Sequence, residues 1–264
     1  MTDYWERQDL GERILAALAA AGKNIDALTI HDLAITDQFH GGAKSATDRL
    51  ARLLAPKPGT QVLDVGGGIG GPARTLAVEF GCHVTVIDVT TSFVRAGQML
   101  TERLGLADRV RHQVGNALEL PFEAGTFDAV WTQNSGMNIA DKARLYAGMQ
   151  RVLRPGGRVA TQEPMAGPVQ PPIYPLMWAR YPTDGSYLAT PAELRAHIER
   201  AGFTVRVWED VSAEFAGPPT AEAIPSHTAQ RIIMGEALDD IIRANHRNRM
   251  EGRILSVQAI LERS

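Results

Sequence analysis

Cysteine is nearly absent: Cys82 is the only one in 264 residues. A single thiol excludes an intramolecular disulfide and a thiolate-bound metal cluster. It fits a reducing compartment, so a cytoplasmic protein is expected. Long apolar runs are also missing. The stretch from Ile14 to Ala21 falls far short of the roughly 20 residues a bilayer-spanning helix needs, so no membrane insertion is expected. The start, MTDYWERQDL, has no basic segment followed by an apolar one, which argues against a secretory leader. Positive charge is not in excess. With 27 Lys and Arg against 30 Asp and Glu the net charge is -3, which lacks the basic footprint of a nucleic-acid partner. His31, His83, His112, His197, His227 and His246 share no ligand spacing, so no metal is expected. No internal repeat or low-complexity tract is present.

Glycine is abundant and concentrated. Gly66, Gly67, Gly68, Gly70 and Gly71 lie within VLDVGGGIGGPARTLAVEFGCHVTVID, residues 62–88. This reads as strand, glycine turn, helix, strand and acid, a βαβ unit for a nucleoside-containing cofactor. Two cofactors fit locally. Gly66, Gly68 and Gly71 satisfy GxGxxG with Asp88 downstream, as in NAD(P) enzymes. Asp64, Gly66, Gly68 and Gly70 equally satisfy DxGxGxG, which suits S-adenosylmethionine. Asp64 favours the second. A dinucleotide brings a pyrophosphate against the helix N-terminus, and a carboxylate there repels it. S-adenosylmethionine brings an ammonium and a sulfonium, which a carboxylate attracts. Asn116 can hydrogen-bond the adenine amine, and Ala117 leaves room for the ring. The plainer readings are a turn cap for Asp64 and a turn residue for Asn116.

Around this unit the pattern predicts helices at 9–21, 26–37 and 43–54, then strands at 61–65, 83–88, 109–114, 127–132, 157–163, 203–211 and 253–261. Helical patterns at 71–80, 91–104 and 139–154 separate the first five strands, and TPAELRAHIERAG carries a capping box at Thr190 and Glu193 before another helix. Residues 218–252 show no clear apolar crossover, so the last strands are expected to pair antiparallel. The fold class is therefore α/β, a Rossmann-like, doubly wound, seven-stranded, mainly parallel sheet with an antiparallel last strand. A helical N-terminal cap is expected at 1–58 and the main domain at 59–264. Within it 164–189 is a lid insertion, rich in proline and carrying Tyr174 and Trp178.

The chain resembles the class I S-adenosylmethionine-dependent small-molecule methyltransferases. It is most similar to the branch with sarcosine/dimethylglycine, sterol/tocopherol and ubiquinone/menaquinone-pathway enzymes. The resemblance rests on DQFHGGAKSAT (37–47), VLDVGGGIGGPARTLA (62–77), VTVID (84–88), GNALELPF (115–122), FDAVWTQ (127–133), MNIADK (137–142), LRPGGRV (153–159) and TPAELRAHIERAGF (190–203). It implies that Gly66, Gly68 and Gly70 admit the methionine part of the cofactor beside Asp64, and that Asp88 binds both ribose hydroxyls. Val89 would lie along the adenine, with Asn116 and Ala117 at its edge. Gln133 would pass under the sulfonium, and the Gln38–Gly42 loop would close over the site. The family more often has Asp where this chain has Asn116, and close relatives commonly have His where it has Asn134.

Candidate catalytic residues are Glu163, at the end of the fifth strand, and His40. Asn134, Met137, Asn138, Tyr174 and Trp178 are candidates for holding substrate. The reaction implied is in-line methyl transfer from S-adenosylmethionine, leaving S-adenosylhomocysteine, to a small amine or a neutral, apolar metabolite, by N-, C- or O-methylation. Two alternatives stay open: an NAD(P)-dependent oxidoreductase, and a non-catalytic S-adenosylmethionine-binding protein. Oligomeric state stays open, with a homodimer one candidate assembly on base rates for soluble enzymes.

Overall fold

The computed structural model describes residues 5–264. Residues 1–4, part of the expected cap and of the start read for a leader, lie outside the described residues. Seven strands form one sheet in the order β3-β2-β1-β4-β5-β7-β6. They are β1 (Gln61–Val65), β2 (His83–Asp88), β3 (Val110–Val114), β4 (Phe127–Gln133), β5 (Leu153–Ala166), β6 (Phe203–Asp210) and β7 (Ile254–Arg263). β1 pairs parallel with β2 and β4, β2 with β3, and β4 with β5. β7 is antiparallel to both β5 and β6. β1 and β4 are buried along almost their whole length, as strands covered on both faces must be. The strand order reverses between β1 and β4, which opens a crevice at their carboxyl ends.

Helices cover the two faces. They are α1 (Leu10–Ala20), α2 (Ile30–Asp37), α3 (Ala43–Leu54), α4 (Gly71–Glu79), α5 (Thr91–Arg103), α6 (Lys142–Val152), α7 (Pro191–Arg200), α8 (Ala229–Met234) and α9 (Leu238–Met250). α7 starts as the sequence predicts: Thr190 Oγ1 accepts from Glu193 N while the Glu193 carboxylate accepts from Thr190 N at 2.8 Å. Asp9 stands at the N-terminus of α1, but its side chain makes no capping bond there. None of the helices among the described residues is long and apolar enough to cross a membrane.

The N-terminal helices do not behave alike. α3 packs on the sheet itself, with Leu50, Ala51 and Leu54 against Val62, Leu76, Val84 and Trp131. α1 and α2 instead join α5, α8 and α9 in a second core through Leu10, Ile14, Leu18, Leu33, Leu100 and Ile241. The C-terminus of α2 docks on the start of α4. A Cβ on Gly71 would stand 2.2 Å from the Asp37 carbonyl oxygen, so only glycine permits this approach. Beside it Arg74 forms a buried ion pair with Asp37 at 2.9 Å.

Two segments differ from expectation. α8 and α9 occupy a stretch that reads as having no apolar crossover. α9 buries Leu238, Ile241 and Ile242 on one side of an otherwise highly polar helix. β5 continues through Pro164 to Ala166, so the first residues of the expected lid belong to the sheet. β4 pairing stops at Gln162, which leaves β7 as the one neighbour at Pro164, where a missing N–H is tolerated. The rest of the insertion is largely irregular but packed, with Leu176, Trp178 and Ala179 buried against Met137 and Ile254.

Candidate functional site

A cavity of about 790 Å³ opens at the strand-order reversal, between the carboxyl ends of β1, β2 and β4 and the α2–α3 junction. This lies within the roughly 300–1,000 Å³ usual for small-molecule sites.

Its floor is the glycine turn. Gly66 and Gly68 both have positive φ, and Gly66 N donates to Ile87 O at 2.8 Å. A Cβ on Gly66 would come 2.4 Å from Ser135 Cβ, whereas one on Gly68 would meet only Phe93, at 3.6 Å. Gly66, Gly67 and Gly68 line the cavity. Gly70, expected there with them, does not line it: its missing side chain makes room for the His112 ring, 2.5 Å from where a Cβ would be. The sequence pattern passes over Gly67, whose missing Cβ clears the Asp64 carboxyl.

Two acids flank the turn. Asp64 is 1% exposed and its Oδ2 has no hydrogen-bond partner. Burial, reinforced by the Asp88 charge, pushes its carboxyl up to about 8. Asp88 Oδ2 accepts from Gly68 N at 2.9 Å and Oδ1 from Thr90 N at 2.8 Å. Burial raises Asp88 as well, against the pull of these N–H groups. Val89, Asn116 and Ala117 form the adjoining wall. Asn116 Oδ1 accepts from Leu118 N at 2.9 Å, so the side chain also closes its own turn.

A chain of buried amides lies beyond. Trp131 Nε1 donates to Gln133 Oε1 at 3.0 Å, Gln133 Nε2 to Gln162 Oε1 at 3.2 Å, and Gln162 Nε2 to Gly41 O at 2.8 Å. Gln258 Nε2 also donates to Gln162 Oε1, at 2.8 Å. Thr47 Oγ1 lies 2.8 Å from Gln38 Oε1, and His40 Nε2 lies 3.0 Å from that hydroxyl. Burial lowers His40 to about 4, so its imidazole is neutral near pH 7. Thr47, Gln162 and Gln258 escape a reading of the sequence, because nothing local marks residues that only a shared core brings together.

The structure brings Gln38, His40, Asn134, Met137, Asn138 and Trp178 to the cavity wall. Asn134 takes a left-handed conformation, φ 51, at the end of β4. Its Oδ1 and that of Asn138 are buried without partners. Tyr174 is not on the wall; it packs behind it in the cluster around Trp178. Glu163 is not on the wall either. It lies under the Gly136–Asn138 turn, where Oε1 accepts from Gly136 N at 3.0 Å. Burial raises it to about 7, partly offset by that N–H and by Lys142. Lys142 Nζ in turn donates to Gly136 O and Tyr187 O, both at 2.8 Å. The pair buttresses the turn from behind rather than facing the cavity. Arg249, from the last turn of α9, does reach the wall and went unread with its helix.

Residues 62–157 match the family described as a methyltransferase domain. The glycine/sarcosine/dimethylglycine N-methyltransferase of Actinopolyspora halophila is 35% identical over 126 residues, 46% of this chain and 22% of that protein. The probable chloroplastic tocopherol O-methyltransferase of Oryza sativa subsp. japonica is 41% identical over 105 residues, 40% of this chain and 29% of that protein. The chain thus spans less than a third of the length of these curated relatives. A geranyl diphosphate methyltransferase solved in complex with SAM shares the fold. Its TM-score is 0.69 at 24% identity, over 84% of this chain and 86% of that one. Residues 62–157 thus match a methyltransferase domain, and the chain shares its fold with a solved methyltransferase.

Proposed function

We propose that this chain transfers a methyl group from S-adenosylmethionine to a small-molecule acceptor by in-line displacement. The observation that carries the reading is Asp64: a buried carboxyl with an unpartnered oxygen, held beside a glycine turn whose open face is the cavity. A buried acid without a partner is costly. A ligand ammonium satisfies it, and a pyrophosphate does not. Asp88 stands where both its oxygens can accept from ribose hydroxyls, exchanging the N–H groups of Gly68 and Thr90 for a charge-assisted pair. Val89, Asn116 and Ala117 would flank the adenine, and Gly66, Gly67 and Gly68 would let the main chain approach the amino-acid end.

When bound, the cofactor supplies an electrophilic methyl carbon on a sulfonium. The protein's part is to orient and to dry. Gln38 and Gln133 are fixed by the amide chain at that end of the cavity. Phe39 and Trp178 add apolar surface to the same cavity. Of the two candidate bases, His40 is only weakly basic and Glu163 lies behind the turn. This favours an acceptor whose nucleophile is already unprotonated or loses its proton after transfer. Glu163 therefore acts through the position of Gly136–Asn138. A cytoplasmic protein with no nucleic-acid partner completes the proposal, supported by the lone buried Cys82 and the absence of basic excess; a homodimer is proposed with it on base rates alone.

The test is calorimetric titration with S-adenosylhomocysteine and with NADH, followed by a screen of amines, phenols and isoprenoids scored by S-adenosylhomocysteine release. Binding of S-adenosylhomocysteine alone, with turnover of at least one acceptor, is expected. NADH binding without S-adenosylhomocysteine binding would return the site to the dinucleotide reading.

A further inference from the structure

We infer that the acceptor carries a carboxylate and that Arg249 is built to receive it. The inference deepens the methyl-transfer reading and rests on it for the identity of the ligand as acceptor.

Two arginines with buried guanidinium atoms face opposite circumstances. Arg74 is saturated. It donates to Asp37 Oδ2 at 2.9 Å, Ile69 O at 2.7 Å, Thr101 Oγ1 at 3.0 Å and Gly97 O at 3.3 Å. Arg249 is not: its Nε and Nη1 are buried with no hydrogen-bond partner. Among the described residues Asp210 acts on it only through space, and burial lowers it to about 10, so it stays cationic near neutrality. Buried guanidinium N–H groups left idle are an expensive thing for a fold to keep. Its place on the cavity wall supplies the reason.

The space in front of it is shaped for a small anion. Arg249 Nη2 and Asn134 Nδ2 lie 3.4 and 4.0 Å from the point where a Cβ on Gly41 would stand. Glycine at 41 leaves that point open. A cation from α9 and a neutral amide from the end of β4 thus converge on it. A guanidinium fork beside an amide suits a planar carboxylate. Charge balance selects the same group. Arg249 is the lone Arg or Lys on the described wall, which also carries Asp64, Asp88, Asp141 and Asp37, the last already paired with Arg74. One positive charge balances a carboxylate and leaves a phosphate or diphosphate in surplus. Phe39, Met137, Met177, Trp178, Phe215 and Ile242 provide apolar surface in the same cavity. The substrate class is therefore a small apolar or aromatic carboxylic acid. This departs from the small amine or neutral, apolar metabolite expected from the sequence, and the difference comes from α9.

The test uses four probes with one body: 3-phenylpropanoate, 3-phenylpropyl phosphate, 3-phenylpropan-1-ol and 3-phenylpropylamine. Each is titrated calorimetrically into the full chain saturated with S-adenosylhomocysteine. The acid is expected to bind about tenfold or more tighter than the alcohol and the amine. Arg249→Met should erase that preference while keeping S-adenosylhomocysteine affinity, and should not lower the melting temperature of the ligand-free protein. Arg249→Lys should retain part of the preference. Gly41→Ala keeps the charge and adds a methyl group in ordinary contact with Nη2, so it should weaken the acid alone. An alcohol or amine that binds as well as the acid overturns the proposal, as does an unchanged preference in Arg249→Met. A lowered melting temperature in that variant marks Arg249 as structural and also overturns it. Tighter binding of the phosphate ester overturns the carboxylate assignment. If S-adenosylhomocysteine does not bind at all, the methyl-transfer reading fails by itself. The same titrations on the free protein then judge the anion site separately.

Discussion

The two ends of the cavity are built in opposite ways. The proposed cofactor end comes mostly from one stretch, from Asp64 to Val89, joined by Asn116 and Ala117, and works largely through main-chain atoms: glycines at positive φ and N–H groups bonded to Asp88. The acceptor end is assembled from the 38–41 loop, Asn134 and Met137 after β4, Trp178 from the insertion, and Arg249 from α9. It works through side chains separated by up to two hundred residues of sequence. A ligand common to many chemistries can be held by a backbone shape that a short sequence specifies. A ligand particular to one reaction is held by side chains that only the completed fold brings together.

The sharpest way to break this contrast is at Gly66. Alanine there would occupy a left-handed conformation at a cost of about 1–2 kcal/mol. Its Cβ would also overlap Ser135, which adds about 1–3 kcal/mol of overpacking. Gly66→Ala should lose measurable S-adenosylhomocysteine binding in calorimetry and lower the melting temperature. Near-normal affinity would show that the main-chain shape does not govern the cofactor end. Asp88→Ala follows. Removing a bidentate acceptor should weaken S-adenosylhomocysteine by about 100-fold, on the order of 1.5–3 kcal/mol, with little change in acceptor preference.

Asp64 gives a smaller effect with a definite sign. Its carboxyl is raised from 3.8 to about 8, so the folded, ligand-free protein holds a proton that the unfolded chain has released. Stability should therefore fall as pH rises from about 4 towards 8. Asp64→Asn should flatten that fall, stabilising the free protein near pH 8 by about 1–3 kcal/mol while weakening the cofactor. Melting temperatures across the pH range, with and without S-adenosylhomocysteine, read both effects. The smallest change is expected at Asn116. Alanine removes an exposed turn bond and one adenine contact, so S-adenosylhomocysteine affinity should drop only a few-fold, about 0.5–1.5 kcal/mol.

The same contrast explains what could be read from the sequence. Strands buried on both faces, such as β1 and β4, announce themselves as apolar runs; the edge strands β3 and β6 are more polar yet still stand where the sequence places strands, with the antiparallel β7 where the missing crossover placed it. The glycine turn and its two acids were legible because their relation is local. α9 was not: three buried aliphatic residues among Asp, Arg, His and Asn give a weak periodic signal, and tertiary packing alone makes the helix. Arg249 disappeared with it. Glu163 was legible as a strand-end acid, yet its direction depends on Gly136, whose turn packs over it. Tyr174 and Trp178 are four residues apart in one irregular segment, and no periodicity says which of them turns to the cavity.

The contact between Gly71 and the Asp37 carbonyl has a consequence for linkage. It joins the end of α2 to the start of α4 with no side chain on the glycine to give way. Displacing α2 therefore strains the turn on which Gly66 and Gly68 stand, and settling the turn fixes α2. Coupling of this kind is reciprocal. An antibody fragment that clamps α2 in this position should tighten S-adenosylhomocysteine, and S-adenosylhomocysteine should tighten the fragment by the same factor. Affinity for the cofactor could then be adjusted from the outer surface of the protein, with every residue of the cavity left as it is.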